Sequence, residues 1–208
     1  GHMARLAEYQ DAAYATRYRV LLERVRSAED RLGADTAERP LTRAVAANYA
    51  KLLAYKDEYE VARLYADPAF RRALTEDFEG EPGRDYALRF HLAPPLLARW
   101  LENNGTPGKI ALGGWMWSVF RLLARLRGLR GTPFDPFGWQ SERRSERQLA
   151  TDYAKDIEAM LAVLTPENHA ALVEFAELPA LIRGYGHVKQ AGIANAQRRR
   201  TELAAALG

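Results

Sequence analysis

The sequence contains no cysteine. The chain therefore forms no disulfide, has no cysteine nucleophile, and offers no thiolate to an iron–sulfur cluster or a cysteine-type zinc site. Histidine is scarce too, and one of the four, His2, lies in a Gly1-His2-Met3 start that resembles the scar of a cleaved expression tag. The other three are too scattered for a two-histidine zinc helix: His91, His169 and His187.

Long apolar runs are also missing. The longest candidate, residues 115–129, is interrupted by Arg121, Arg125 and Arg127 and is shorter than the roughly 20 residues that span a bilayer. We therefore expect no membrane association and a cytoplasmic location, with which the lack of cysteine agrees. The net charge of +3 is small and no recognition motif accompanies it, so nucleic acid is not an expected partner.

Catalytic motifs are absent as well. Residues 105–109 read GTPGK and superficially resemble a phosphate-binding loop. However, Ile110 stands where serine or threonine would hold magnesium, and the glycine spacing is wrong. No serine lies in a nucleophile elbow. The sequence thus predicts no catalytic, cofactor-binding or metal-binding residue in this chain.

Apolar residues at helical spacing dominate what is present. They predict one long helix over residues 5–32, ended by Gly33, and a second over residues 41–66. Asp67-Pro68 predicts the cap and first position of a short helix that ends near residue 77. The same reasoning predicts four further helices: residues 115–127, 141–164, 166–178 and 188–207.

One short hairpin interrupts the helices. Tyr86, Leu88, Phe90 and Leu92 recur at every second position, which is the period of a strand. Residues 103–108 read NNGTPG, a turn composition, and residues 109–112 supply a second strand. The expected fold is mainly α: one multi-helix domain over residues 4–208, with a small β-hairpin around residues 85–113.

Lys56, Asp57, Glu60 and Arg63 form the most informative polar group. Helical spacing brings them onto neighbouring turns, and Lys56 falls within the apolar stripe itself. A charge on a buried face must be paired, because leaving it unpaired costs several kcal/mol. The four residues are candidates for one buried cluster, either a salt-bridge network that fixes helix packing or a site for a ligand or partner.

No acidic residue lies between Glu102 and Asp135. A basic stretch of this kind attracts phosphate or an acidic protein, although a solvated face or a face covered by another domain has the same composition. The candidate interface residues are the arginines of this stretch, a strand histidine expected to point away from Phe90, and two residues of a glycine-rich segment: Arg121, Arg125, Arg127, Arg130, His91, Tyr185 and His187.

Four blocks of the sequence resemble a known family. Residues 51–65 read KLLAYKDEYEVARLY, residues 90–97 read FHLAPPLL, residues 120–132 read FRLLARLRGLRGT with DPFG following at 135–138, and residues 182–189 read IRGYGHVK. In this order they are similar to the C-terminal domain of large indolepyruvate ferredoxin oxidoreductases. The resemblance covers nearly the whole chain, except that the segment between Leu97 and Trp115 is peculiar to this sequence.

The resemblance implies a larger parent enzyme. That family oxidatively decarboxylates aryl-pyruvates to acyl-CoA with thiamine diphosphate, 4Fe-4S clusters and ferredoxin, and the parent is expected to be a homo-oligomer. Its cofactor motifs lie in other domains, so the resemblance implies no catalytic residue and no cofactor here. This chain would be an accessory and assembly domain that packs on the remaining domains, and it would be inactive alone.

Two other functions stay open. The chain can be a binding module of the same enzyme, with the basic stretch directed at CoA phosphates or at an acidic ferredoxin. It can also be a free-standing helical binding protein outside this family.

Overall fold

The computed structural model describes residues 1–33, 38–80, 84–92, 110–184 and 186–207. In these residues the fold is mainly α, as predicted, with nine α-helices and one two-stranded antiparallel sheet. The elements are α1 His2–Tyr9, α2 Ala12–Asp30, α3 Pro40–Leu53, α4 Glu58–Ala66, α5 Pro68–Asp77, β1 Phe90–Leu92, β2 Ile110–Leu112, α6 Met116–Arg125, α7 Ser141–Leu161, α8 His169–Glu177 and α9 Gly186–Leu207. Two 3-10 turns, Leu126–Leu129 and Leu178–Leu181, follow α6 and α8.

The sequence shows no obvious boundary, but contacts divide the chain into two compact units. Unit 1 comprises residues 1–55 and 144–208, and unit 2 comprises residues 56–143. No helix of the described segments is both long enough and apolar enough to cross a bilayer.

The prediction of one helix over residues 5–32 is wrong, because two helices occupy this segment. Asp11 leaves the helical conformation between α1 and α2, and its side chain accepts a hydrogen bond from the backbone N–H of Tyr14 at 2.7 Å. An aspartate in this position satisfies one of the free N–H groups of a new helix.

The predicted helix over residues 41–66 is divided in the same way. The first part, α3, ends at Leu53, and Asp57 caps α4 by accepting from the backbone N–H of Glu60 at 2.8 Å. The apolar spacing persists across both breaks because they are short, so periodicity alone does not reveal them. Lys56 consequently lies in the connection and not in a helix.

Unit 1 has a core formed mainly by α2, α3, α7 and α8. Three tyrosines stack through it, with ring centroids 6.1 Å apart between Tyr18 and Tyr49 and 5.9 Å apart between Tyr49 and Tyr153. The hydroxyl of Tyr153 donates to the carbonyl of Ala176 at 2.8 Å, so its polar end is satisfied inside the core. The fully or nearly buried aliphatic residues around this stack include Leu21, Val25, Leu41, Val45, Leu53, Ile157 and Leu172.

Unit 2 has a separate, smaller core. The predicted hairpin strands are confirmed, although the first begins at Phe90 and not at Tyr86: β1 and β2 pair antiparallel, with Phe90 opposite Leu112 and His91 opposite Ala111. The turn predicted between them lies outside the described residues. Phe90 packs with residues from α4 and α6, including Ala62, Met116 and Phe120. The predicted cap of α5 is also present, since the side chain of Asp67 accepts from the N–H of Ala69 at 2.8 Å.

Candidate functional site

A buried polar network occupies the start of α4 and the loop that follows α6. At its centre, Arg130 donates to Asp57 from Nε at 2.6 Å and from Nη2 at 2.9 Å. Each side chain is only 3% exposed. The same carboxylate also caps α4. Asp57 therefore joins two segments of unit 2 with one side chain.

Asp135 is another buried carboxylate of this network, and it connects the loop to α4. Its carboxylate accepts from the backbone N–H groups of Gly131 at 2.8 Å and Phe137 at 3.1 Å, and from the hydroxyl of Tyr59 at 3.1 Å. Burial, then the charge and hydrogen bond of Asp135, raise the pKa of Tyr59, so this hydroxyl stays protonated and remains a donor. The guanidinium of Arg130 lies 5.4 Å from the centre of the Tyr59 ring, a cation–π distance.

Two further arginine–carboxylate pairs border the network. Arg63 donates to both oxygens of Glu60 at 2.8 Å, one turn away on α4. Arg143 donates to both oxygens of Glu58 at 3.1 Å. Burial alone would lower the pKa of Arg143, but the hydrogen bond and charge of Glu58 raise it. Both pairs have the bidentate geometry that makes arginine–carboxylate contacts strong and directional.

The hydrogen bonds of this network hold segments of unit 2 in position. Each of its four carboxylates already accepts hydrogen bonds from an arginine, a tyrosine or the backbone. None is left as a base beside an open cavity, which a general acid–base site requires. Within the described residues no group of three or more acidic or histidine side chains is placed to hold a metal ion.

The expectation that Lys56 lies on a buried helical face is wrong. Lys56 is exposed, because the helix break at Ala54 turns the chain before α4 begins. Asp57 and Glu60 are buried, and Arg63 is partly buried against Glu60. The polar cluster thus contains three of the four predicted residues and omits the lysine.

The basic stretch separates into exposed and buried parts. Arg121 and Arg125 on α6 are exposed, and Arg127 is half-buried. Arg130 is 5% exposed and paired with Asp57, which contradicts its assignment to an interface. The reason is that the 3-10 turn after α6 redirects the chain, so residues close in sequence to Arg125 no longer share its face.

The remaining interface candidates lie in both units. His91 is exposed on β1 while its neighbour Phe90 is buried, as strand alternation predicts. Tyr185 lies outside the described residues, and of His187 the structure describes only its backbone, in α9.

Lys51 contacts the fourth block of the sequence within unit 1. Its ammonium group donates to the carbonyls of Pro179 at 2.7 Å and Ile182 at 2.9 Å. Burial, followed by the charges of Arg183 and Lys189, lowers the pKa of Lys51. Lys189 in turn pairs with Glu146. These contacts fix the segment that leads into α9, so both lysines have a structural role.

A further buried carboxylate, in unit 1, has no signal in the sequence. Glu29 at the end of α2 is fully buried and accepts from the backbone N–H groups of Leu41 and Thr42, each at 2.8 Å, and from the Thr42 hydroxyl at 2.6 Å. The Nε2 atom of His169 lies 2.8 Å from the same carboxylate. Glu29 therefore caps α3 from another helix, since Arg39 at the N-cap makes no side-chain cap bond.

Two local signals for the unit 2 network are present in the sequence. Asp57 followed three residues later by Glu60 is the pattern of a capped helix start, and Asp135-Pro136-Phe137-Gly138 is a turn pattern. Neither pattern indicates that Asp57 meets Arg130, or that Asp135 meets Tyr59. Those pairings join residues far apart in the chain and have no local signature.

The fold and this network define a small, mainly helical protein in which buried arginine–carboxylate pairs hold irregular segments in place. Residues 1–202 match a sequence family described as a family of unknown function, DUF6537, and the chain belongs to that family. Comparisons with curated proteins and with solved structures each give no match.

Proposed function

We propose that this chain is an accessory and assembly domain of an indolepyruvate ferredoxin oxidoreductase, packing on the other domains of that enzyme. One observation carries the proposal. Three of the four blocks that resemble the family are joined by contacts that hold the fold together: Asp57 of the first block pairs with Arg130 of the third, and Lys51 of the first block binds the backbone carbonyl of Ile182 in the fourth. These residues stabilise the fold and are not placed to react with a substrate. This favours a structural role in the enzyme over a catalytic one.

The cofactors of such an enzyme would belong to its other domains. The residues of this chain do not fit an iron–sulfur cluster, because the sequence has no cysteine to ligate iron. The buried carboxylates of the described residues are engaged by arginine, lysine, tyrosine, threonine and backbone donors, so these carboxylates are not available to a thiamine cofactor. The role of this chain in the parent homo-oligomer would be to bind the other domains. The proposal includes a cytoplasmic location.

A second candidate function is a docking module for ferredoxin or CoA. It is favoured by Arg121 and Arg125, which are exposed four residues apart on α6 and present two positive charges to an acidic protein or a phosphate. Under this alternative, reversal of these charges would raise the apparent KM for ferredoxin or CoA and leave assembly intact. The increase for ferredoxin would be larger at low salt than at high salt, because salt screens exposed charges.

The test compares the full-length parent enzyme with a version that ends before this chain. Assembly is measured by light scattering after size-exclusion chromatography, and turnover is measured separately with indolepyruvate, CoA and oxidised ferredoxin. We expect the shortened enzyme to lose its native oligomeric state, and the isolated chain to show no turnover with all cofactors added. Normal assembly and normal turnover of the shortened enzyme would refute the assembly role, and turnover by the isolated chain would refute the proposal entirely.

A further inference from the structure

Helix α6 carries an apolar stripe that faces solvent. Trp115, at its N-cap, is 62% exposed, Leu122 is 57% exposed and Leu126, directly after the helix, is 38% exposed. A step of seven residues places Trp115 and Leu122 on one face, and Leu126 begins the 3-10 turn four residues after Leu122. We call these three residues the α6 stripe.

The neighbouring side of α6 is already used for packing. Met116 and Phe120 are buried in the core of unit 2, against Phe90. Val119 and Leu123 are partly buried in the same core and lie between these two residues and the stripe, so the apolar face of α6 extends from the core of unit 2 to solvent. Contiguous exposed apolar residues on a helix mark an interaction surface more often than isolated ones do.

A pair of arginines borders the stripe. Arg121 and Arg125 are exposed, and neither forms an ion pair within the described residues; Arg121 contacts only the Ser118 hydroxyl, at 3.2 Å. Several exposed arginines of unit 1 are paired, as Arg24 is with Glu158 and Arg200 is with Asp156. Two like charges one helical turn apart repel each other, and a negative partner would relieve that repulsion.

We propose that the α6 stripe with Arg121 and Arg125 is the docking face for an acidic amphipathic helix of a protein partner. The partner helix would lay its apolar residues on the stripe and place Asp or Glu beside the two guanidinium groups, which bind carboxylates in a bidentate manner. This inference rests on the proposed function, and it assigns the partner helix to a neighbouring domain of the parent enzyme.

Charge complementarity favours this occupant over the others. A nucleic acid would neutralise the arginines but leave two leucines exposed to water. A second copy of this chain, using the same face, would bring four arginines together without a carboxylate from α6, because this helix contains no acidic residue. An acidic helix satisfies both parts of the surface at once.

The test measures binding of this chain to the parent enzyme that ends before it, by isothermal titration at low and high salt. Three variants are compared with the wild-type chain: Leu122→Asp, the double variant Arg121→Glu with Arg125→Glu, and the control Arg72→Glu on an exposed position of α5. We expect Leu122→Asp and the double arginine variant each to raise the Kd by about tenfold or more, as central contacts of an interface do, and the control to leave it unchanged. The wild-type affinity should fall with salt, and the affinity of the charge-reversed variant should not.

The outcomes separate this inference from the proposed function. If the wild-type chain binds, and both Leu122→Asp and the double arginine variant bind equally well, the docking face is wrong and the assembly role stands. If the wild-type chain does not bind at all, both are refuted. Self-association, or binding to anionic vesicles, that Leu122→Asp abolishes would assign the stripe to another occupant and overturn the inference. A melting temperature lowered by more than about 4 °C in the isolated Leu122→Asp chain would also overturn it, because the stripe would then be packed internally.

Discussion

Arg130 donates two hydrogen bonds to the carboxylate of Asp57, although 73 residues separate them in sequence and both side chains are almost fully buried. The pair connects the cap of α4 to the loop after α6. Burying an ion pair is costly, and the cost is offset only when the geometry is good and the remaining polar atoms are satisfied. Here Asp57 also accepts from the N–H of Glu60, so both conditions are met for this carboxylate.

Substitution of Arg130 by methionine should lower the free energy of unfolding by about 3–5 kcal/mol, because it leaves the Asp57 carboxylate buried without its cation. Urea denaturation measures this loss. The matched control is Arg125→Met, which removes an exposed guanidinium and should change the free energy by less than about 0.5 kcal/mol.

The pairing itself is tested by combining Arg130→Met with Asp57→Asn. Asparagine retains the capping oxygen but carries no charge, so the double variant should be more stable than the sum of the two single losses predicts, by about 1 kcal/mol or more. Strict additivity would show that the two residues stabilise unit 2 independently.

A second prediction concerns the fit of Gly138 against Asp135. A methyl group at Gly138 would lie 2.7 Å from the carboxylate oxygen Oδ2 of Asp135, and that side chain cannot move without losing its bonds to Tyr59 and to the loop backbone. Gly138→Ala should therefore destabilise the protein by about 1–3 kcal/mol. Gly128→Ala is the control, because nothing lies within 4 Å of the added carbon there; equal melting temperatures for the two variants would refute the prediction.

Much of the fold follows from local patterns in the sequence. Alternation around Phe90 predicts the strand that pairs with residues 110–112, and Asp67-Pro68 predicts the start of α5. Periodicity also finds the C-terminal helices α7 and α9 to within about three residues at each end. These features depend on residues close in the chain, where steric and hydrogen-bonding preferences act directly.

The breaks and the long-range pairs could not be predicted in the same way. Asp11 and Asp57 each cap a new helix shortly after the preceding one has ended, yet the apolar spacing continues through both breaks. Closeness in sequence predicts that Arg130 lies on the same surface as Arg125. Because the 3-10 turn lies between them, Arg125 is exposed to solvent whereas Arg130 is buried against Asp57. Tertiary contacts of this kind override local propensity, and a single sequence carries no signal for them.

The corrected position of Lys56 gives a third prediction. Because Lys56 is exposed in the connection before α4, Lys56→Ala should change the free energy of unfolding by less than about 0.5 kcal/mol. Asp57→Ala, one residue later, should cost several times more, since it removes the cap and leaves Arg130 unpaired. Thermal and urea denaturation of both variants measure the difference, and a large loss for Lys56→Ala would restore the lysine to a buried helical face.

Glu29 makes the stability of unit 1 depend on pH. Burial alone would raise the pKa of Glu29, but hydrogen bonds from Thr42, His169 and Leu41 outweigh it and lower the pKa below 4.5. A carboxyl group whose pKa is lower in the folded state binds protons more readily when unfolded. Its contribution to stability is therefore complete above pH 4.5 and is lost as the pH falls through the folded-state pKa.

Replacing Glu29 by glutamine should accordingly destabilise the protein at pH 7, because the neutral amide accepts these hydrogen bonds more weakly and turns one N–H₂ group toward other donors. Loss of a buried charge-assisted network of this kind costs about 1.5–3 kcal/mol. The difference between wild type and variant, measured by urea denaturation, should shrink as the pH falls below 4.5. Glu8→Gln is the control, since Glu8 is exposed on α1 and its replacement should leave stability nearly unchanged throughout. A difference for Glu29→Gln that stayed constant down to the acid transition would mean that the charge of Glu29 does not stabilise the N-terminus of α3.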